Sequence, residues 1–287
     1  MNDGFLIVDK PAGITSHDVV QSLRRLLDTR RVGHAGTLDP MATGVLVVGV
    51  GAATRLLRFV ESTTKRYDAT VAFGARTDSL DATGAVTERV DASNVTRARI
   101  ESALPRFTGE IQQLPPMVSA LKVDGERLHE KARRGEIIDR APRTVTIHEL
   151  RCTGFEPGTE PTAQLEVVCS AGTYVRTLAD DLGVALETRA HLTALRRTAV
   201  GDSSATIAVP LIDVTAGSIR GVLETLTHLP RRELDDVEYD WTRHGRRIEP
   251  VGIEGPYLAV RDDQLVAIML ERAGVCRIEV GLPEPLR

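Results

Sequence analysis

Apolar runs broken by glycine, proline and charge divide the chain into short elements. Residues 4–13, GFLIVDKPAG, read as a buried strand entering a Pro-Gly turn. Thr15 and Asp18 then form a capping pair for a helix whose apolar stripe is Val19, Val20, Leu23, Leu26 and Leu27. GVLVVGV at 44–50 predicts a buried strand, and KRYDATVAF at 65–73 alternates with Tyr67, Ala69, Val71 and Phe73 on one face. RTDSLDATG reads as a turn-rich loop, GAVTERV as a strand, and Thr96 as the cap of a helix with Ile100, Ala103 and Leu104 inward. Residues from about 115 to 142 mix prolines with basic side chains and read as a mobile basic excursion from the sheet, followed by a strand from about 143. TAQLEVVCSAGTYVRTLADDLGVAL predicts strand, tight turn and helix, with Val175, Leu178, Ala179 and Leu182 as the apolar stripe; AHLTALRRTAV returns as a strand. Beyond about residue 217 the pattern changes to short strands separated by RDDQ and ERAG turns. Strands and helices interleave without a regular βαβ rhythm, which predicts an α+β fold, with a main unit at 1–228 and a small, mostly β unit at 229–287.

Composition changes this picture little: 287 residues, 42% hydrophobic and 26% charged, describe an ordinary globular chain. No apolar run approaches a membrane span, and the start MNDGFLIVDKP lacks the basic and long apolar regions of a secretory signal, so a cytoplasmic location is expected. Cys152, Cys169 and Cys276 are far apart, with no CxxC pair and no histidine at ligand spacing. They are expected to be reduced thiols, with no metal site. Charge is more informative in one place. The net charge is −4, yet residues 20 to 66 carry eight basic against three acidic side chains, a local +5 that suits contact with a polyanion.

Within that basic stretch stands VGHAGTLDPMATGVLVVGVG, where Asp39 precedes a proline and an aliphatic run. An aspartate before proline is common in turns. A carboxylate among small and aliphatic residues, however, is costly without a cation. Arg176, near the start of the helix predicted after SAGT, could supply it. Equally, Arg176 could form a surface pair with Asp180 at helical spacing.

Five blocks occur in order over about residues 4–201: GFLIVDKPAGITSHDVV, VGHAGTLDPMATGVLVV, TTKRYDATVAFGARTDSLDATG, QLPPMVSALKVDGERLHEKARRG, and SAGTYVRTLADDLG with HLTALRRTAVG. Together they resemble the TruB family of tRNA pseudouridine synthases. The resemblance implies isomerisation of uridine 55 in the tRNA T-arm loop, on a pseudouridine-synthase fold with a central mixed, largely antiparallel sheet and no metal or organic cofactor. By the same resemblance Asp39 is the catalytic aspartate, Tyr67 stacks on the target base and Arg176 pairs with the aspartate. His34 holds the RNA beside the flipped nucleotide, while Tyr174 and Leu195 are further pocket positions. Lys10 and Pro11 match a block expected to give structural support. The tail WTRHGRRI resembles the start of a PUA RNA-binding domain. Val118, His129 and Lys131 depart from the family pattern, in which aromatic residues are frequent at those positions.

The chemistry agrees with the resemblance. Glycosidases that use water normally employ two carboxylates, whereas the motif offers one. A uracil leaving group can delocalise its own charge, and a second carboxylate with water would favour hydrolysis over reattachment. The substrate expected is a tRNA T-arm stem-loop, with no membrane and no obligate protein partner, the chain acting as a monomer. The alternatives are a catalytically silent RNA-binding or tRNA-folding protein, a guide-RNA-dependent relative, and an aspartate-using hydrolase.

Overall fold

The computed structural model describes residues 3–116, 122–123, 126–127 and 140–286. In chain order, β1 (Gly4–Lys10) leads to α1 (Ser16–Leu26), β2 (Val32–Ala35) and β3 (Thr43–Val50); α2 (Leu57–Glu61) precedes β4 (Lys65–Phe73). A small pair, β5 (Ala75–Thr77) and β6 (Val86–Arg89), is followed by α3 (Arg97–Ala103) and β7 (Gly109–Gln113), then the short antiparallel β8 (Lys122–Val123) and β9 (Glu126–Arg127). Next come β10 (Arg143–Glu156), β11 (Thr162–Cys169), α4 (Val175–Ala185), β12 (Ala190–Val200), β13 (Ser203–Ser204) and β14 (Val209–Pro210). The chain closes with α5 (Val222–Thr225), β15 (Arg231–Glu233), α6 (Asp236–Arg243), β16 (Gly255–Arg261), β17 (Gln264–Arg272) and β18 (Val275–Leu286).

The main sheet runs in the order β14-β1-β3-β12-β4-β11-β10-β7, with β2 on β3 and β13 on β12. It is mixed and largely antiparallel, since only β1 with β14 and β3 with β12 pair in parallel. The expected α+β class and mixed central sheet are therefore what the chain adopts. A separate four-stranded sheet, β15-β16-β17-β18, forms the C-terminal part. Its Leu258, Val260, Leu265 and Ile268 share one apolar cluster with Phe5, Ile7, Leu56 and Phe59, so the two sheets are joined by core packing.

Local rules account for the elements that matter. Thr15 and Asp18 cap α1 reciprocally, and Val19, Val20 and Leu23 are buried beneath it, each contributing about 1.5–3 kcal/mol of burial. Leu26, expected on that stripe, lies at the helix end and faces solvent. The alternation read in β4 holds, and it also buries Lys65. Thr96 caps α3 through the Arg99 amide. The GAVTERV strand exists as β6 but is exposed, paired only with β5. The basic excursion at 115–142, with Val118, His129 and Lys131, lies mostly outside the described residues. Among the described residues no helix is long and apolar enough to cross a membrane.

Gly44 matters for everything that follows. It sits at φ +99°, and a Cβ there would stand 2.2 Å from the Arg197 carbonyl oxygen. Glycine thus lets β3 lie against β12 in the register Arg197 to Gly44, which brings Arg197 to the loop preceding β3.

Candidate active site

The loop between β2 and β3 carries Asp39 and is pinned from several sides. Lys10, fully buried at the end of β1, donates from Nζ to the carbonyl oxygens of Ile14 at 2.7 Å, Pro11 at 2.9 Å and Pro40 at 3.3 Å. Burial pulls this amine down to about 8, against the opposing pull of Asp39. The Gly13 amide also donates to Pro40 O at 2.8 Å. Ser16 Oγ accepts from the Leu38 amide at 2.9 Å and donates to Leu38 O at 3.1 Å. At the loop's start, buried Arg197 donates to Gly36 O at 3.0 Å and to Val45 O at 2.7 Å. The loop therefore hangs on three buried polar side chains, Lys10, Ser16 and Arg197, from three different elements.

Arg176 lies in the first turn of α4. Its Nε meets Asp39 Oδ2 at 2.9 Å and its Nη2 donates to Asp39 Oδ1 at 3.0 Å, a two-pronged pair with the arginine side chain 4% exposed and the aspartate 32%. Nη1 donates to Ser79 O at 2.8 Å and lies 3.5 Å from Asp81 Oδ2. Asp180, the rival partner by helical spacing, is instead taken by Arg76 through contacts of 2.8 and 3.0 Å. Gln113, at the end of β7, fixes the helix start: its Oε1 accepts from the Tyr174 amide at 3.0 Å and its Nε2 donates to Tyr174 O at 3.3 Å.

Asp81 is a second carboxylate, placed behind the guanidinium. It is buried, and its Oδ1 accepts from Ser79 Oγ at 2.8 Å and from Thr83 N at 2.9 Å. The sequence reading took this residue as part of a turn and anticipated one carboxylate only. Burial pushes the Asp39 carboxyl above its ordinary value; Arg176 pulls it down, Asp81 adds to the rise and Lys10 opposes it.

Asp39 and Arg176 open into a cavity of about 590 Å³ whose wall also includes Tyr67, Tyr174, Leu195 and Arg197. That size falls in the range of small-ligand sites. Tyr67 is buried on β4, and burial raises its phenol pKa against the opposing pull of the Arg197 guanidinium. Lys65, two residues before Tyr67, also lines the cavity; burial and the neighbouring Arg197 lower its amine to about 8. Five of the six residues singled out in the sequence thus share one cavity wall. His34 does not line it; it is half-buried on β2, opposite Val48 of β3. Glu61, Arg58 and Arg143 complete the charged rim. The sequence reading missed Arg197, Gln113, Lys65 and Asp81; the signal available for Lys65 was the alternation of β4.

The arrangement presents one carboxylate, steadied by a guanidinium, to a chamber walled by a tyrosine and aliphatic side chains. The fold that carries it is that of pseudouridine synthases. A chain from a Cbf5-Nop10-Gar1 complex superposes with a TM-score of 0.74 at 26% identity, covering 97% of this chain and 84% of that one. A chain from the archaeal box H/ACA Nop10-Cbf5 complex gives 0.73 at 24% identity, covering 98% and 86%. Residues 24–175 match the TruB family pseudouridylate synthase N-terminal domain, and residues 176–237 the tRNA pseudouridylate synthase B C-terminal domain. Proteins named tRNA pseudouridine synthase B are similar over nearly the whole length. The one from Thermobifida fusca is 46% identical, over 96% of both chains. That from Rhodococcus jostii is 47% identical, over 94% of this chain and 90% of its own. The chain belongs to the TruB family of pseudouridylate synthases.

Proposed function

We propose that the chain isomerises uridine 55 in the T-arm loop of tRNA, with Asp39 as the catalytic residue. The observation that carries this reading is the two-pronged Asp39–Arg176 pair on the wall of a cavity that also holds Tyr67. The target nucleotide leaves its stack, at a cost of a few kcal/mol, and Tyr67 offers the face on which the extruded base rests. Asp39, oriented by the two guanidinium hydrogen bonds, meets the sugar and base where the C–N bond breaks. Leu195 and Tyr174 keep water from the freed uracil while it turns to present C5. His34, one strand away from the cavity wall, is assigned to the RNA loop that the nucleotide vacates. The reading requires no metal or organic cofactor. Residues 1–228 form the catalytic unit and 229–287 an RNA-facing, PUA-like appendage, in a cytoplasmic monomer that needs no protein partner.

The test is incubation of an unmodified tRNA transcript with the purified chain, then carbodiimide mapping of pseudouridine. The expected result is one site in the T-arm loop. Asp39→Asn is expected to abolish product while RNA affinity stays within a few-fold. Turnover by this variant would refute the assigned role, and binding without turnover by the native chain would favour a catalytically silent RNA-folding protein.

A further inference from the structure

Two arginines stand on the cavity rim, and they differ in one respect. Arg143, exposed at the start of β10, has no ion pair among the described residues. Arg58, on α2, is already occupied: its Nη2 donates to Glu279 Oε1 at 2.7 Å, and its guanidinium lies over the Phe59 ring, 4.8 Å from the centroid. Glu279 belongs to β18 of the C-terminal sheet, and Arg55, one turn before Arg58, donates to the Gly281 carbonyl of the same strand. The lip of the catalytic cavity is thereby stitched to the C-terminal sheet.

The stitch is weak enough to exchange. Arg58 is 53% exposed and Glu279 28%, so water screens the pair and its net worth is small. A phosphodiester arriving at the rim offers oxygens of the same charge and similar geometry as the carboxylate. We propose that Arg58 binds an RNA phosphate beside the extruded nucleotide, and that Glu279 is the internal carboxylate which that phosphate displaces. This rests on the reading of the chain as an RNA-modifying enzyme. Exchange of one anion for another keeps Arg58 compensated in the free and the bound protein. It also makes Glu279 a built-in competitor, which lowers the affinity of any anion that must take Arg58 from it. Stacking on Phe59 holds the guanidinium plane in place during the exchange.

The experiment uses the full chain and an unmodified tRNA transcript, with binding measured by fluorescence anisotropy over a salt series and turnover measured in parallel. Glu279→Gln is expected to tighten binding about two- to fivefold, the scale of an exposed pair. Arg58→Gln is expected to weaken binding, to raise KM more than it lowers kcat, and to flatten the slope of log K against log salt by about 0.7–0.9, one phosphate contact. Arg58→Lys should restore that slope. In the Arg58→Gln background, Glu279→Gln should add nothing, whereas Arg143→Gln should add its own loss. Weaker or unchanged binding by Glu279→Gln, or an unaltered salt slope in Arg58→Gln, overturns the proposal. A native chain that forms no pseudouridine in this tRNA would instead refute the underlying reading.

Discussion

Replacing Arg176 by methionine keeps an unbranched stem and removes the guanidinium. Asp39 then loses its contacts at 2.9 and 3.0 Å, Asp81 its 3.5 Å neighbour and Ser79 O its 2.8 Å donor. Stranding one partner of a buried ion pair costs about 3–5 kcal/mol. Asp39 is 32% exposed and can recruit water, so the lower end, about 3 kcal/mol, is expected. At about 2–4 °C per kcal/mol the melting temperature falls by about 6–12 °C. Urea unfolding followed by circular dichroism and by the fluorescence of Trp241, the only tryptophan, measures the deficit if the two transitions coincide. Adding Asp39→Asn removes a stranded charge, so the double variant should be more stable than the sum of the singles predicts, by more than about 0.5 kcal/mol. The pH dependence follows from sign. Burial already raises the Asp39 carboxyl, so its ionised form lowers stability as pH rises from the ordinary aspartate range through the raised value. Loss of Arg176 raises that value further, and the deficit should shrink as acid neutralises the carboxylate. Additive singles with a pH-independent deficit would refute the account.

Because the Asp39 carboxyl is raised, the acid limb of a kcat/KM profile should fall away above the ordinary aspartate pKa of 3.8, and Asp81→Asn should move that limb to lower pH by removing a repelling charge. A limb that stays in place in Asp81→Asn would contradict the coupling. Gly44→Ala, with a Cβ forced to within 2.2 Å of a carbonyl oxygen at positive φ, should cost about 2–5 kcal/mol in a thermal melt. An unchanged melting temperature would show that β3 and β12 can part without penalty.

Periodicity revealed β1, β3, β4, β11 and β12, because their apolar residues either run continuously or alternate across a half-buried face. It did not reveal β7, whose GEIQQ contains a single apolar side chain and gains its place from pairing with β10. The candidate site divides along the same line. Asp39 and Arg176 were legible from motif and from the cost of a lone carboxylate, but spacing left Asp180 as an equal partner for the arginine. Arg76, 104 residues away in the chain, decides that question by taking Asp180. Arg197 was opaque for a related reason, and Lys10 was expected as structural support without its partners. Alternation and apolar runs indicate which positions face inward, but not which distant carbonyl oxygens a buried cation will satisfy. Asp81, read as part of a turn-rich loop, instead bridges in parallel to Leu192 of β12, and no periodicity foretells that docking or its burial against Arg176.

Gln113 bonds both the backbone N–H and the carbonyl oxygen of Tyr174, and the Thr177 hydroxyl donates to Leu114 O at 3.3 Å. The end of β7 and the beginning of α4 are therefore tied together by three hydrogen bonds. A tug on the chain leaving Leu114 would be felt two residues beyond Tyr174, at the guanidinium itself. Mechanical tension at that exit, applied through a tether or a crosslink, should register as a change in turnover although it is applied outside the cavity.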